Sequence, residues 1–138
     1  MGDAALRLLL DTHVWVWSQE HPEKLGRRTG RLLVAAEHVN AVCPISSIEI
    51  ARLVAIGEIT LSVPLARWIE ESLAELEAET VPITHEVARE AYALPGRFHQ
   101  DPADRVLVAA ARCHGLTVVT ADERILDYPD VQSLDARR

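Results

Sequence analysis

Four carboxylates stand where the sequence changes character. Asp11 closes the aliphatic run "LLLD", Glu49 follows "PISSI", Asp104 follows "HQDPA" and Asp122 follows "VVTA". An ionised carboxylate at the end of a buried apolar segment is costly unless hydrogen bonds, a cation or solvent compensate it. If the four converge on one site, mutual repulsion raises their pKa values until a cation is supplied. Mg²⁺ or Mn²⁺ fits best, because these hard ions take oxygen ligands and keep positions open for water and phosphate. The chemistry indicated is hydrolysis of a phosphate ester, with a water activated and the leaving oxygen stabilised at the ion.

Each acid also has a purely structural reading. Ser46-Ser47-Ile48-Glu49 matches a capping box, with Glu49 reaching back to the Ser46 backbone N–H. Asp101 is best read as an N-cap. Asp104, three residues on, gains from the helix dipole without any metal. Asp122 fits a cap on the turn after Thr120, and Asp11 a cap on a helix starting at Thr12.

The elements that must position these groups alternate along the chain. Leu6–Leu10 reads as a strand buried on both faces. Thr12–Ser18 reads as a short helix and Pro22–His38 as a longer one, with Leu25, Leu32, Leu33 and Ala36 on one face. Ala41–Cys43 is a short buried strand. A helix runs from Ser46 to about Ile56, where Gly57 stops it, and Pro64 opens another carrying Leu65, Trp68, Ile69, Leu73 and Leu76 at helical spacing. "TVPI" reads as a third strand and Glu86–Leu94 as a helix ended by "PG". "DPADRVLVAAARCHG" has Asp101 at the N-cap, Pro102 at the first helical position and Gly115 past the end. Leu116–Thr120 is a β-branched strand, and Val131–Leu134 a last edge strand. Such alternation implies an α/β fold, a mainly parallel sheet with helices on both faces. Ligands then bind at the carboxyl ends of strands, near a switch in strand order. Asp11 and Asp122 both fall at such ends.

The composition sets outer bounds. The chain has 138 residues, enough for one domain with a full core, and residues 1–138 read as a single domain. No apolar run approaches the length of a membrane span and the N-terminus does not resemble a secretory signal, so a cytoplasmic location is expected, with no membrane partner. Cys43 and Cys113 form no CxxC pair and read as reduced thiols in apolar surroundings. A net charge of −7 argues against a general polyanion binder, although the local distribution decides that. Many of the acids fall in "EESLAELEAE", a solvated helix face, while "GRRTGR" at Gly26 to Arg31 fits phosphate contacts or an ordinary charged surface equally well.

Taken together and in order, "LLLDTHVWVW", "PISSIEIARL", "HQDPADRVLVAAA" and "LTVVTADERI" resemble the PIN domain, and within it the VapC ribonuclease toxins of type II toxin–antitoxin systems. The resemblance runs from Leu8 to about Tyr128. It implies a three-layer α/β/α fold with about five strands, and an acidic Mg²⁺ or Mn²⁺ site that cleaves RNA. Residue by residue it makes Asp11, Glu49, Asp104 and Asp122 the four PIN acids, catalytic and metal-binding. Asp104 is preferred to Asp101 by counting back from "AAARCHGL". Thr12, Ser46 and Thr120 match hydroxyl residues that orient carboxylates or bound waters. Arg105, next to Asp104, is placed to contact phosphate or pair with a nearby acid. The resemblance further implies a homodimer and a cognate VapB-like antitoxin that covers the cleft. Ile48 departs from the subgroup, where many members carry Trp.

Rival readings fare less well. Nothing in the spacing of the six histidines supports metal-free cleavage by a histidine pair; His13 and His99 flank proposed acids, and a hydrogen-bonded or surface role is favoured for each. At least one of Trp15 and Trp17 is expected in the core. A haloacid-dehalogenase phosphatase needs a second Asp where His13 stands. A phosphorylated receiver domain needs a late Lys, and the only Lys is Lys24. A non-catalytic PIN-like module that binds RNA or protein is the remaining alternative; losing one acid would favour it, and all four are present.

Overall fold

The computed structural model describes residues 4–138. Five strands, β1 (Arg7–Leu10), β2 (Val39–Val42), β3 (Glu79–Thr80), β4 (Thr117–Thr120) and β5 (Ser133–Asp135), form one sheet in the order β3-β2-β1-β4-β5. Every pairing is parallel. Because side chains alternate across a strand, β1 sends Leu8 and Leu10 to one face and Leu9 to the other. Leu8 and Leu10 join Val14, Trp15, Leu33, Ile50 and Trp68 in one core. Leu9 joins Val87, Leu107, Val108, Val118 and Ile125 in the second. The helices therefore lie on both faces, which is the three-layer arrangement.

The helices are α1 (Thr12–Glu20), α2 (Arg27–Val34), α3 (Pro44–Ala55), α4 (Leu65–Glu75), α5 (His85–Glu90), α6 (Pro102–His114) and α7 (Glu123–Leu126). Helix α6 begins and ends where its cap residues say it should. Asp101 accepts from the Ala103 N–H, and Gly115 takes the left-handed conformation at φ 66°. Several boundaries differ from expectation. The single helix expected over Pro22–His38 is instead a 3₁₀ turn at Pro22–Lys24 followed by α2, with Gly26 as N-cap. Gly26 N–H donates to Ala136 O at 2.8 Å, and a Cβ there would stand 2.0 Å from the Arg138 backbone. That tertiary contact breaks the helix. Strand β3 covers only Glu79–Thr80, and the Val81 N–H makes its last bond to the sheet, donating to Val42 O at 2.9 Å. Helix α5 stops at Glu90, short of the expected Leu94, and the chain turns before Pro95.

Strand order locates the crevice. The chain leaves β1 towards β2 and β3, then returns to the opposite side of β1 to form β4 and β5. The switch point is the crevice between β1 and β4, at their carboxyl ends. Asp11 follows one of these strands and Asp122 the other. Among the described residues, no helix is long and apolar enough to cross a membrane.

Candidate active site

Asp11 continues the sheet ladder through its N–H, which donates to Val119 O at 3.0 Å, and its side chain then caps α1 by accepting from the Thr12 N–H at 2.8 Å. Its second oxygen accepts from the Thr120 hydroxyl at 2.7 Å. That hydroxyl in turn accepts from the Asp122 N–H at 2.9 Å, so one buried threonine ties the ends of β1 and β4 together. The capping role expected of Asp11 is real. It uses one oxygen and leaves the carboxylate at the crevice.

Glu49 does not form the expected capping box. Helix α3 starts two residues earlier than expected, at Pro44, which moves Ser46 into its first turn and Glu49 into its interior. Ser46 N–H donates to Cys43 O instead. The fully buried Ser46 hydroxyl lies 3.0 Å from the Thr12 hydroxyl, which donates to Glu49 at 2.6 Å. Thr12 and Ser46 thus hold Glu49 from below. Burial pushes the Glu49 pKa up, the Thr12 hydrogen bond works against that, and the charges of Asp11 and Asp101 add to it.

Asp104 is buried at 7 % exposure, in the first turn of α6. Its Oδ2 lies 3.0 Å from His99 Nε2 and 3.6 Å from Arg124 Nη2. Even so, its pKa is raised to about 8, first by burial and then by the charges of Asp11, Asp101, Asp122 and Glu49. Asp122 goes the other way, because a two-pronged hydrogen bond from Arg124 holds it below the usual carboxylate range. The His99 pKa is lowered by burial and by Arg124. His99 Nδ1 accepts from the Asp101 N–H at 3.3 Å, which leaves the proton of the neutral ring on Nε2. That atom faces Asp104 off the hydrogen-bonding line and is buried without an aligned partner.

All four acids singled out in the sequence line one open cleft of about 280 Å³. Asp101 caps α6 as expected and also lines the cleft, so its charge belongs to the site. His13 accepts from the Ala121 N–H at 3.1 Å and presents its ring edge to Trp17, which lines the apolar wall; Trp15 is wholly buried and donates to Ser72. Arg105 departs from expectation. Its buried guanidinium donates to the carbonyls of Ala91, Phe98 and His99 and stacks on Tyr92, so it braces the loop that carries His99 and, among the described residues, pairs with no acid. Ile48 is 61 % exposed, so the departure from Trp there touches little of the packing. Arg124 is a site residue that sequence reasoning misses. An Arg two residues after an Asp reads as surface charge, and only the tight turn into α7 folds it back.

The donor set suits a divalent cation. Ligand atoms of His99, Asp104 and Asp122 lie within 4.8 Å of one another; the two carboxylates would supply oxygen ligands, and His99 would join them only in the tautomer that frees Nε2 of its proton. Asp11 and Glu49 line the same cleft outside that tight group, each held by a threonine hydroxyl.

Comparison with known proteins places this geometry in a family. The PIN domain family profile matches residues 8–131, nearly the whole chain, and the protein belongs to that family. It is 40 % identical over 121 residues to Ribonuclease VapC22 of Mycobacterium tuberculosis, covering 88 % of this chain and 91 % of that protein. Solved structures with the same fold include VapBC2 of Rickettsia felis bound to promoter DNA, at TM-score 0.68 and 15 % identity over 94 % of this chain and 98 % of that one. FitAcB of Neisseria gonorrhoeae matches at TM-score 0.65 and 22 % identity over 94 % and 97 %.

Proposed function

We propose that this chain is a metal-dependent endoribonuclease of a single PIN domain, the toxin of a VapBC-type toxin–antitoxin pair. The observation that carries the reading is the convergence of Asp11, Glu49, Asp104 and Asp122 at the β1/β4 switch point, with more negative charge than the protein itself neutralises. Kinship with Ribonuclease VapC22 supports RNA as the substrate. The toxin–antitoxin complexes of the same fold support a VapB-like partner. Ile48 of α3 and Ile56 at its C-cap stand exposed, apolar side chains suited to being covered by protein, whether antitoxin or a second copy in a homodimer.

In this reading Asp11, Glu49, Asp104 and Asp122 would hold one or two Mg²⁺ or Mn²⁺ ions, directly or through water, with Asp104 and Asp122 closest together. The bound ion supplies Lewis-acid stabilisation of the charge that develops on a phosphodiester and a source of nucleophilic water at neutral pH. The chain's own residues prepare the place. Thr120 fixes the orientation of Asp11, Thr12 and Ser46 fix Glu49, and Arg105 holds the His99 loop against α6. Burial and the neighbouring acids raise the Asp104 pKa, and a cation held there would favour its ionised form.

The non-catalytic alternative draws on one observation: Arg124 already neutralises Asp122 and partly neutralises Asp104. One experiment separates the two. Wild type, Asp11→Asn and Asp104→Asn, prepared in parallel, are incubated with mixed RNA and Mn²⁺, Mg²⁺ or EDTA. Cleavage by wild type alone, and only with metal, is expected, with a loss of about a hundredfold or more in either variant. Identical behaviour of all three in every condition would assign the cleft to binding.

A further inference from the structure

Among the described residues, Arg124 is the one Lys or Arg side chain lining the cleft. It stands at the second position of α7, and its Nε and Nη2 fork onto the two oxygens of Asp122 at 3.1 and 2.8 Å. The same Nη2 is 3.6 Å from Asp104 Oδ2. The guanidinium therefore lies against the carboxylate oxygens of two of the three side chains that could share an ion. Nothing else restrains it. The side chain is 58 % exposed, and all its side-chain hydrogen bonds go to Asp122.

Arg105 supplies the contrast. It follows Asp104 in the chain, and its guanidinium is committed to three backbone carbonyls. A cleft lined with five carboxylates has no second Lys or Arg to offer a polyanionic substrate.

We infer that Arg124 is a stowed phosphate-binding residue: in the metal-free protein its guanidinium takes the place of the cation on Asp122 and Asp104, and a divalent ion displaces it towards the substrate phosphate. The inference rests on the metal-dependent nuclease reading. An exposed arginine–carboxylate pair is weak, because water screens it and two side chains must be ordered to make it. A divalent ion with oxygen ligands outcompetes one guanidinium, and a planar two-pronged donor released beside the ion suits a phosphate. Cation binding and substrate binding are then coupled through one side chain. The metal-free cleft keeps its arginine turned away from RNA.

The test titrates Mn²⁺ into metal-stripped full-length wild type, Arg124→Gln and Arg124→Lys by calorimetry, with KM and kcat for an RNA oligonucleotide measured on the same preparations. Arg124→Gln is expected to bind Mn²⁺ about fivefold more tightly, since the competitor is gone. It should cut RNA about tenfold less well in kcat/KM, since the phosphate contact is gone too. Arg124→Lys, which keeps the charge and loses the fork, should fall between in both, and it carries the test if the glutamine variant does not fold by circular dichroism. Mn²⁺ affinity unchanged or weakened by the substitution, in a wild type that does bind the ion, overturns the inference and leaves the nuclease reading standing. Tighter Mn²⁺ binding with unaltered RNA kinetics overturns the phosphate role. Absence of Mn²⁺ binding in all three proteins overturns the inference and the metal-dependent reading together.

Discussion

Two acidic regions of this molecule are built on opposite electrostatic rules. On the outer side of the sheet, Asp135 of β5 is gripped by Arg137, which also reaches Glu123. One guanidinium serves both carboxylates there, and the Asp135 pKa is held below the usual range by its hydrogen bonds from Arg137. In the cleft, five carboxylates meet one arginine, and Asp104 is pushed up to about 8. The rim is arranged so that ionisation favours the fold. The cleft is arranged so that ionisation opposes it, and the imbalance is what a cation or a basic partner group can relieve.

The variable that exposes that difference most is pH. Asp104 has a folded pKa of about 8 against an ordinary value of 3.8, so between roughly these two values the folded state holds a proton that the unfolded state has lost. Stability of metal-free protein should therefore fall as pH rises through that window, with the full penalty, on the order of a few kcal/mol, present above it. Asp135 has the opposite sign. Its folded pKa is depressed, so its contribution is present above its unfolded value and is lost as pH falls through the folded one. Denaturant unfolding of wild type and Asp104→Asn across roughly pH 5 to 9 checks this: the variant should lose most of the decline, and a wild-type slope in Asp104→Asn would show that the cleft is not its source.

A smaller effect probes how the rim is packed. Gly26 sits at φ −66°, so backbone strain is not the reason for a glycine; the reason is the close approach of the Arg138 backbone. Gly26→Ala should push that segment away, break the Gly26 to Ala136 hydrogen bond and cost about 1–3 kcal/mol, while leaving Mn²⁺ affinity unchanged. Thermal unfolding and calorimetry on one preparation read both. The smallest effect belongs to Arg137→Ala. Its ion pairs are half-exposed and screened by water, so their loss should lower the unfolding temperature only slightly, and the difference should vanish in high salt. A larger, salt-insensitive loss would mean that the side chain acts through packing.

Legibility in the sequence follows the range of the forces involved. The period of the helices, the caps of α6 and the β-branched strand before Thr120 are local, and they carry the α/β alternation and put Asp11 and Asp122 at strand ends. The start of α3 is not legible in this way, because Ser46 and Glu49 satisfy a capping pattern by spacing alone, whereas in the fold Thr12, 34 residues away from Ser46, takes both as neighbours. Arg105 misleads for the same reason. Adjacency to Asp104 in the chain suggests a partner, but on a helix neighbouring residues point in different directions.

The sequence by itself determined which acids the molecule has, which of them end strands or begin helices, and the family to which the pattern belongs. Tertiary structure alone decided that the Asp101 charge belongs to the cleft, that Arg105 braces a loop, and that Arg124 is the cation facing the acids. The physical reason is that element identity is encoded in local periodicity and capping, while charge balance depends on which side chains meet from distant parts of the chain, where spacing carries no information. Asp104 shows the gap most clearly: two of the charges that raise its pKa, those of Asp11 and Glu49, come from the first half of the sequence and become its neighbours only once the sheet is wound.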